Sequence, residues 1–139
     1  MLKQQAQAKD LIDRSKNILI LLHQSPDGDT IASSLALHTF LSRLGKQVDL
    51  AVNDTIPEVF NFLLTEVEVK KDFLLGDYDL VFAVDCGDTL RTGFASRIEK
   101  IFKKTPLINI DHHIKNNLHK IAAVNLVDEK ASATAELVY

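Results

Sequence analysis

Histidine and aspartate gather at three places in this chain, in types and spacings that suit metal chemistry. The first is His23-Gln24-Ser25-Pro26-Asp27-Gly28-Asp29, the second Val84-Asp85-Cys86-Gly87-Asp88 and the third Ile110-Asp111-His112-His113. Imidazole and carboxylate are borderline-to-hard donors that suit Mn²⁺, Mg²⁺ or Zn²⁺. Asp27, Asp29, Asp85 and Asp111 brought close together would repel one another strongly unless cations sat among them. The economical expectation is a pair of divalent metals, and with it hydrolysis of a phosphate ester.

For that to happen the three places must meet, and the flanking sequence says how. Each follows a short apolar run: Ile18–Leu22, Leu80–Val84 and Leu107–Ile110. Such runs read as central strands of a parallel sheet, and ligands collect where those strands end. Between them the pattern predicts helices at 3–16 and at about 31–44, the latter with Ile31, Leu35, Leu37, Leu41 and Leu44 inward and Gly45 as its stop. Strands are expected at 18–23, 47–52, 79–84, 106–110 and 122–127, with a short one at 67–69. Asn53-Asp54-Thr55 should cap a short helix that starts near Pro57 and points Val59, Phe60, Leu63 and Leu64 inward; another helix is expected over 94–104. The alternation argues a doubly wound α/β domain: a mainly parallel sheet of about five strands with helices on both faces.

Composition narrows the function classes. A chain of 139 residues, 46% hydrophobic and 25% charged, suits one domain with a real core. No apolar run approaches the ~20 residues of a membrane span, and the N-terminus lacks a secretory apolar segment. The single cysteine, Cys86, excludes an internal disulfide and fits a reducing cytoplasm. With a net charge of −3 and no basic block, a long nucleic-acid tract is not expected, so any nucleic-acid substrate should be short.

Taken singly, each motif has a plainer reading. Asp27-Gly28-Asp29 could be turn chemistry with a helix cap, and Asp85 a strand-end turn residue. Their company on strand ends favours ligands. Asp85 is the candidate to bridge two ions, which in two-metal sites lie roughly 3.5–4 Å apart. One histidine of the third motif could ligate while the other binds phosphate or donates a proton; Asp111 would orient an imidazole from behind. Arg91 could clamp a phosphate or pair with an acid of the site. Asp88 could cap the following turn or face the site. Cys86 reads as a small buried hydrophobe, His38 and His119 as bystanders on a helix and in a polar loop, and Lys70-Lys71 and Lys103-Lys104 as solvated faces.

Together the three motifs resemble the DHH phosphoesterase superfamily, named for the tripeptide Asp111-His112-His113. Asp85-Cys86-Gly87-Asp88, Arg91-Thr92-Gly93 and His113 followed by Asn116 look most like its NrnA-type branch, oligoribonucleases that also remove phosphate from 3′-phosphoadenosine 5′-phosphate. The resemblance implies a first metal on His23 and Asp27, a second on Asp29 and His112, and Asp85 bridging them, with Mn²⁺ the usual ion and Mg²⁺ or Co²⁺ as alternatives. It places His113 beside the scissile phosphate, carries Arg91 over as a phosphate contact, and implies in-line attack of hydroxide on phosphorus. The implied partner is a short oligonucleotide or a nucleoside bisphosphate, and a homodimer of the full-length protein is compatible. Two departures stand out. Ala32 occupies a place where the family often has glycine, and the family's fourth-motif aspartate and C-terminal substrate-binding domain have no counterpart before Tyr139.

Ser132 is expected to cap an amphipathic helix over 133–139 whose apolar side, Leu137 and Val138, is left exposed. The chain therefore reads as a truncated catalytic domain, residues 1–139, inactive alone. Competing readings are a metal- or nucleotide-binding module without turnover and, within the superfamily, a RecJ-type exonuclease or a family II pyrophosphatase. The pyrophosphatase motif resembles Pro-Asp-Thr-Asp where this chain has Pro26-Asp27-Gly28-Asp29.

Overall fold

The computed structural model describes residues 2–74, 76–101, 103–114 and 117–139. Asn116, part of the resemblance, lies outside them. A six-stranded sheet carries the fold, with β1 (Asn17–Leu21), β2 (Gln47–Ala51), β3 (Val69–Lys70), β4 (Leu80–Val84), β5 (Leu107–Asp111) and β6 (Val124–Val127). Its order is β3-β2-β1-β4-β5-β6 and every neighbouring pair is parallel. The chain builds outward from β1 to β3, then returns to β4 and builds the other way. β1 and β4 therefore meet at the point where the direction of winding reverses, the crevice where open parallel sheets bind ligands.

The central strands are apolar on both sides because both faces are covered. Ile18, Ile20, Leu50, Leu80, Phe82 and Ile108 face one layer, made by α1 (Leu2–Arg14), α2 (Gly28–Arg43) and α5 (Thr134–Val138). Leu19, Leu21, Val81, Ala83 and Leu107 face the other, where Ile98 of α3 (Ala95–Ile101) and Leu118 of α4 (Asn117–Ile121) pack. Phe82 is 1% exposed, and truncating it to alanine should cost about 3–5 kcal/mol. Among the described residues no helix is long and apolar enough to cross a membrane.

α2 is the element that matters most for the site, and its ends are sharply set. Asp27 caps it, Oδ1 accepting from the amides of Asp29 and Thr30. Gly45, at φ +78°, closes it: its amide bonds to the Ser42 carbonyl and that of Lys46 to the Leu41 carbonyl. The Thr30 hydroxyl, fully buried, donates to the Val84 carbonyl at 3.0 Å and ties the start of α2 to the end of β4.

Several local expectations are corrected. β3 is a two-residue edge strand at Val69–Lys70, which makes the sheet six-stranded. α1 ends at Arg14, α3 spans 95–101, and a short α4 carries His119, where the sequence predicts a loop. The segment after Pro57 is a 3-10 helix (Glu58–Leu63) with no side-chain cap, because Asp54 instead accepts from the Ser25 and Thr55 amides. Val59 and Leu44 are exposed. Lys70 pairs with Asp49 at 2.7 Å and Lys71 donates to the Asp54 carbonyl, so neither is merely solvated. The cap position of α5 is Ala133, without a side-chain bond, and the Ser132 amide donates to Glu136. Leu137 and Val138 pack against the core because α5 lies on α2.

Candidate metal centre

All three motifs arrive at the C-terminal edge of the sheet. His23 follows β1 by two residues, Asp85 follows β4 directly, and Asp111 ends β5. Asp85 is 2% exposed and sits at φ +61°, a left-handed conformation that costs a non-glycine residue about 1–3 kcal/mol. That turn swings its carboxylate across the switch point. Oδ2 lies 3.8 Å from His23 Nε2, while Oδ1 lies 3.6 Å from His112 Nε2 and 3.5 Å from His113 Nδ1. One carboxylate thus faces two groups: His23, Asp27 and Asp85 on one side, Asp85, His112 and His113 on the other.

Each histidine is oriented through its other nitrogen. His23 Nδ1 is 2.6 Å from the Gln24 carbonyl and so must donate, leaving an acceptor lone pair on Nε2. That Nε2 is buried without a hydrogen-bond partner, 3.6 Å from Asp27 Oδ1. Separations of 3.6–3.8 Å are too long for hydrogen bonds. His112 Nδ1 faces the Ala131 carbonyl at 3.2 Å, which directs its Nε2 toward Asp85 and toward Asp29 Oδ2 at 3.8 Å. His113 Nδ1 is bonded to Asp111 Oδ1 at 2.6 Å, and Asp111 Oδ2 accepts from the Gly87 amide at 2.8 Å. Both Asp111 oxygens are therefore occupied, one behind His113 and one on the Gly87 amide.

Asp29 is gripped from three sides. Oδ1 accepts from the Ser33 hydroxyl and the Ala135 amide, each at 3.1 Å, and Oδ2 from the Thr134 amide at 2.7 Å. The Thr134 hydroxyl donates to Asp85 Oδ1, also at 2.7 Å, and this residue is fully buried. Burial raises the Asp85 pKa, the Thr134 hydrogen bond partly opposes it, and the charges of Asp29 and Asp111 raise it further while His113 lowers it. Asp27 does two things at once, capping α2 while facing His23.

The remaining candidates separate cleanly. Asp88 Oδ1 accepts from the Arg91 amide at 2.9 Å and so shapes the turn. Exposed Arg91 forms no salt bridge among the described residues; its guanidinium lies over Gly87, where a Cβ would come within 3.1 Å of Nη1. Cys86 is fully buried, Sγ 3.5 Å from the Leu21 and Val84 carbonyls, and burial pushes its thiol pKa up. His38 and His119 join neither group. Gly93 matters more than its sequence suggested. At φ +74° it stands where a Cβ would meet Asn53 Cβ at 2.7 Å, while the Arg91 carbonyl receives the Gln24 amide beside His23.

Comparison with known proteins decides the family. The family described as "DHH family, N-terminal domain" matches residues 17–139. The chain belongs to the DHH family. Its DHH domain is 33% identical over 124 residues to the bifunctional oligoribonuclease and PAP phosphatase NrnA of Thermus thermophilus, covering 87% of this chain and 35% of that protein. It is 29% identical over 133 residues to an uncharacterised protein of Methanocaldococcus jannaschii, covering 91% of this chain and 26% of that one. The chain therefore spans about a third or less of the length of these relatives. Among solved structures, an exopolyphosphatase-related protein from Bacteroides fragilis superposes with a TM-score of 0.83 at 25% identity, covering 100% of this chain and 42% of that one. The Mn²⁺ complex of RecJ from Thermus thermophilus shares the fold with a TM-score of 0.53 at 21% identity, covering 99% of this chain and 19% of that one.

Thr134 is the site residue that the motifs did not point to. The sequence points to its segment only as the start of the helix expected after Ser132.

Proposed function

We propose that residues 1–139 form the metal-binding catalytic domain of a phosphoesterase that acts on short oligoribonucleotides or on nucleoside bisphosphates such as 3′-phosphoadenosine 5′-phosphate. Two divalent cations, Mn²⁺ foremost, would be held by His23, Asp27 and Asp85 on one side and by Asp29, Asp85 and His112 on the other. The observation that carries this reading is the divided carboxylate of Asp85, with one oxygen toward His23 and the other toward His112. The buried, unpartnered His23 Nε2 facing two carboxylates suits a cation, and an imidazole–carboxylate donor set suits Mn²⁺. His113 is left out of the donor set because its Nδ1 is committed to Asp111.

What such ions supply when bound is Lewis-acid stabilisation of phosphoryl charge and acidification of water. This chain's own residues do the rest. His113 is half-exposed, and Asp111 holds its Nδ1–H, so the ring in its doubly protonated form can give the Nε2 proton to the departing oxygen and end as the neutral Nδ1–H tautomer. Arg91, held over Gly87, can reach a substrate phosphate from the rim. The choice of substrate class rests on the activities that name the Thermus relative, and the substrate-binding part would lie outside these 139 residues. Each donor set counts three protein ligands, Asp85 being shared, and turnover is expected of the whole protein rather than of these 139 residues alone. A buried lone cysteine fits a cytoplasmic setting.

The test is release of mononucleotide from a diribonucleotide, and of phosphate from 3′-phosphoadenosine 5′-phosphate, by the whole protein with Mn²⁺ and with chelator. Activity that chelator abolishes and Mn²⁺ restores is expected. Metal binding without turnover on either substrate would favour the binding module instead.

A further inference from the structure

We infer that Thr134 is a positioning residue, and that the segment Ala131–Ala135 decides whether the second of the two ions binds; this rests on the metal assignment proposed above. Four hydrogen bonds from this short segment land on the second group. The Ala131 carbonyl accepts from His112 Nδ1, the Thr134 and Ala135 amides donate to Asp29, and the Thr134 hydroxyl donates to Asp85. His23 and Asp27 are set otherwise, by the Gln24 carbonyl and by the α2 cap.

The Thr134 hydroxyl has a specific task. A carboxylate terminal torsion is soft, so Asp85 needs a donor to fix which oxygen faces which group. Thr134 Oγ1 supplies it at 2.7 Å on Oδ1, the oxygen that faces His112, and a carboxylate oxygen that accepts one hydrogen bond keeps a lone pair for a cation. Through its amide, 2.7 Å from Asp29 Oδ2, the same residue holds the second carboxylate of that group. Two ligands drawn from β4 and α2 are thus locked at a fixed relation by one buried residue of α5, whose Leu137 and Val138 anchor it to the core.

The experiment compares wild type, Thr134→Val and Thr134→Ser by Mn²⁺ titration calorimetry and by electron paramagnetic resonance of the bound ions. Valine keeps the shape and the backbone amide but removes the hydroxyl; serine keeps the hydroxyl. Wild type should bind two ions and give a spin-coupled pair signal. In Thr134→Val the second step should weaken by about 10–100-fold, the loss typical of removing a ligand's outer hydrogen-bond partner, and the coupled signal should vanish while the first step stays within a few-fold. Thr134→Ser should restore both. If the valine variant does not fold, Thr134→Ala makes the same comparison. Two equal ions and a coupled signal in the hydroxyl-less variant would overturn the inference, as would equal weakening of both steps. A wild type that binds no Mn²⁺ would instead overturn the metal assignment beneath it.

Discussion

His23 and Asp27 are oriented by their own turn: one by the next residue's carbonyl, the other by the amides of the helix it caps. Asp29, two residues further on, is held by amides 105 and 106 residues away, and His112 by a carbonyl 19 residues away. The first half of the site can be in place as soon as β1 and α2 pair with β4. The second half waits for α5 to dock. A locally fixed half is cheap to preorganise and hard to disturb from afar; a half fixed by long-range contacts is open to control by whatever holds α5. Asp85 belongs to both, which makes it the place where the comparison can be broken altogether.

The largest effect is therefore expected at Asp85. Replacing it with alanine removes a ligand from each group, so Mn²⁺ titration should lose both steps. Several kcal/mol of lost charge stabilisation corresponds to about three or more decades in the hydrolysis rate of the whole protein. His38→Ala and His119→Ala, outside both groups, should stay within about a factor of two, the scale of substitutions away from any site. Comparable rates in the Asp85 and His119 variants would refute the mechanism.

Next come the single-sided variants, which sharpen the comparison. His23→Ala should remove the first ion and leave the second binding step; His112→Ala should do the reverse. Each loses one ion of two, so the measure is stoichiometry by calorimetry. If both variants lose both ions together, the halves are not separable and their different anchoring has no consequence for metal binding.

What the sequence made legible, and what it did not, follows the same line. The first motif and the strand that precedes it are close in sequence, so spacing brings His23 and Asp27 to one strand end, although α2 starts at Gly28 rather than near residue 31. Asp85 and Asp111 were legible because five-residue runs that end in an acid mark strand ends in a buried sheet. Thr134 was not legible, because a buried threonine after small residues means nothing until α5 is laid beside α2. The expected exposure of Leu137 and Val138 failed for the same reason: their partners are on another element. α4 was missed because five residues with a histidine and a lysine carry too short a period to read, whereas the short strand expected at 67–69 is present as β3, shifted to Val69–Lys70.

A smaller effect is expected behind the histidines. Asp111→Asn keeps the shape but loses the negative charge that accepts from His113 Nδ1 and the Gly87 amide. Metal stoichiometry should stay at two, whereas kcat of the whole protein should fall by about 10–100-fold, the usual loss when a buried orienting partner is altered. His113→Gln should fall further, within the 10²–10⁴-fold typical of a general acid. An Asp111→Asn variant that loses an ion would move Asp111 from orienting His113 to holding metal.

The smallest effect, a few degrees in thermal midpoint, is expected from pH in the metal-free protein. Burial and the neighbouring charges of Asp29 and Asp111 raise the Asp85 pKa against the pull of Thr134 and His113. A carboxyl whose folded pKa lies above its unfolded value gives its stabilisation in full below the unfolded value and loses it as pH rises through the folded one. In chelator, then, the Asp85 contribution should lower the midpoint from acid toward neutral pH. Asp54 and Asp72 work the other way: the Ser25 and Thr55 amides hold the first below its usual range, and Arg97 the second, so their stabilisation is lost as pH falls. The difference between wild type and Asp85→Asn cancels these and isolates the one group. At neutral pH without metal the asparagine variant should melt above wild type; at low pH the gap should narrow. Mn²⁺ should invert the order by stabilising wild type alone. A constant offset across the pH range would mean that the shared carboxylate is not the strained point of the site, and that the two halves carry their repulsion elsewhere.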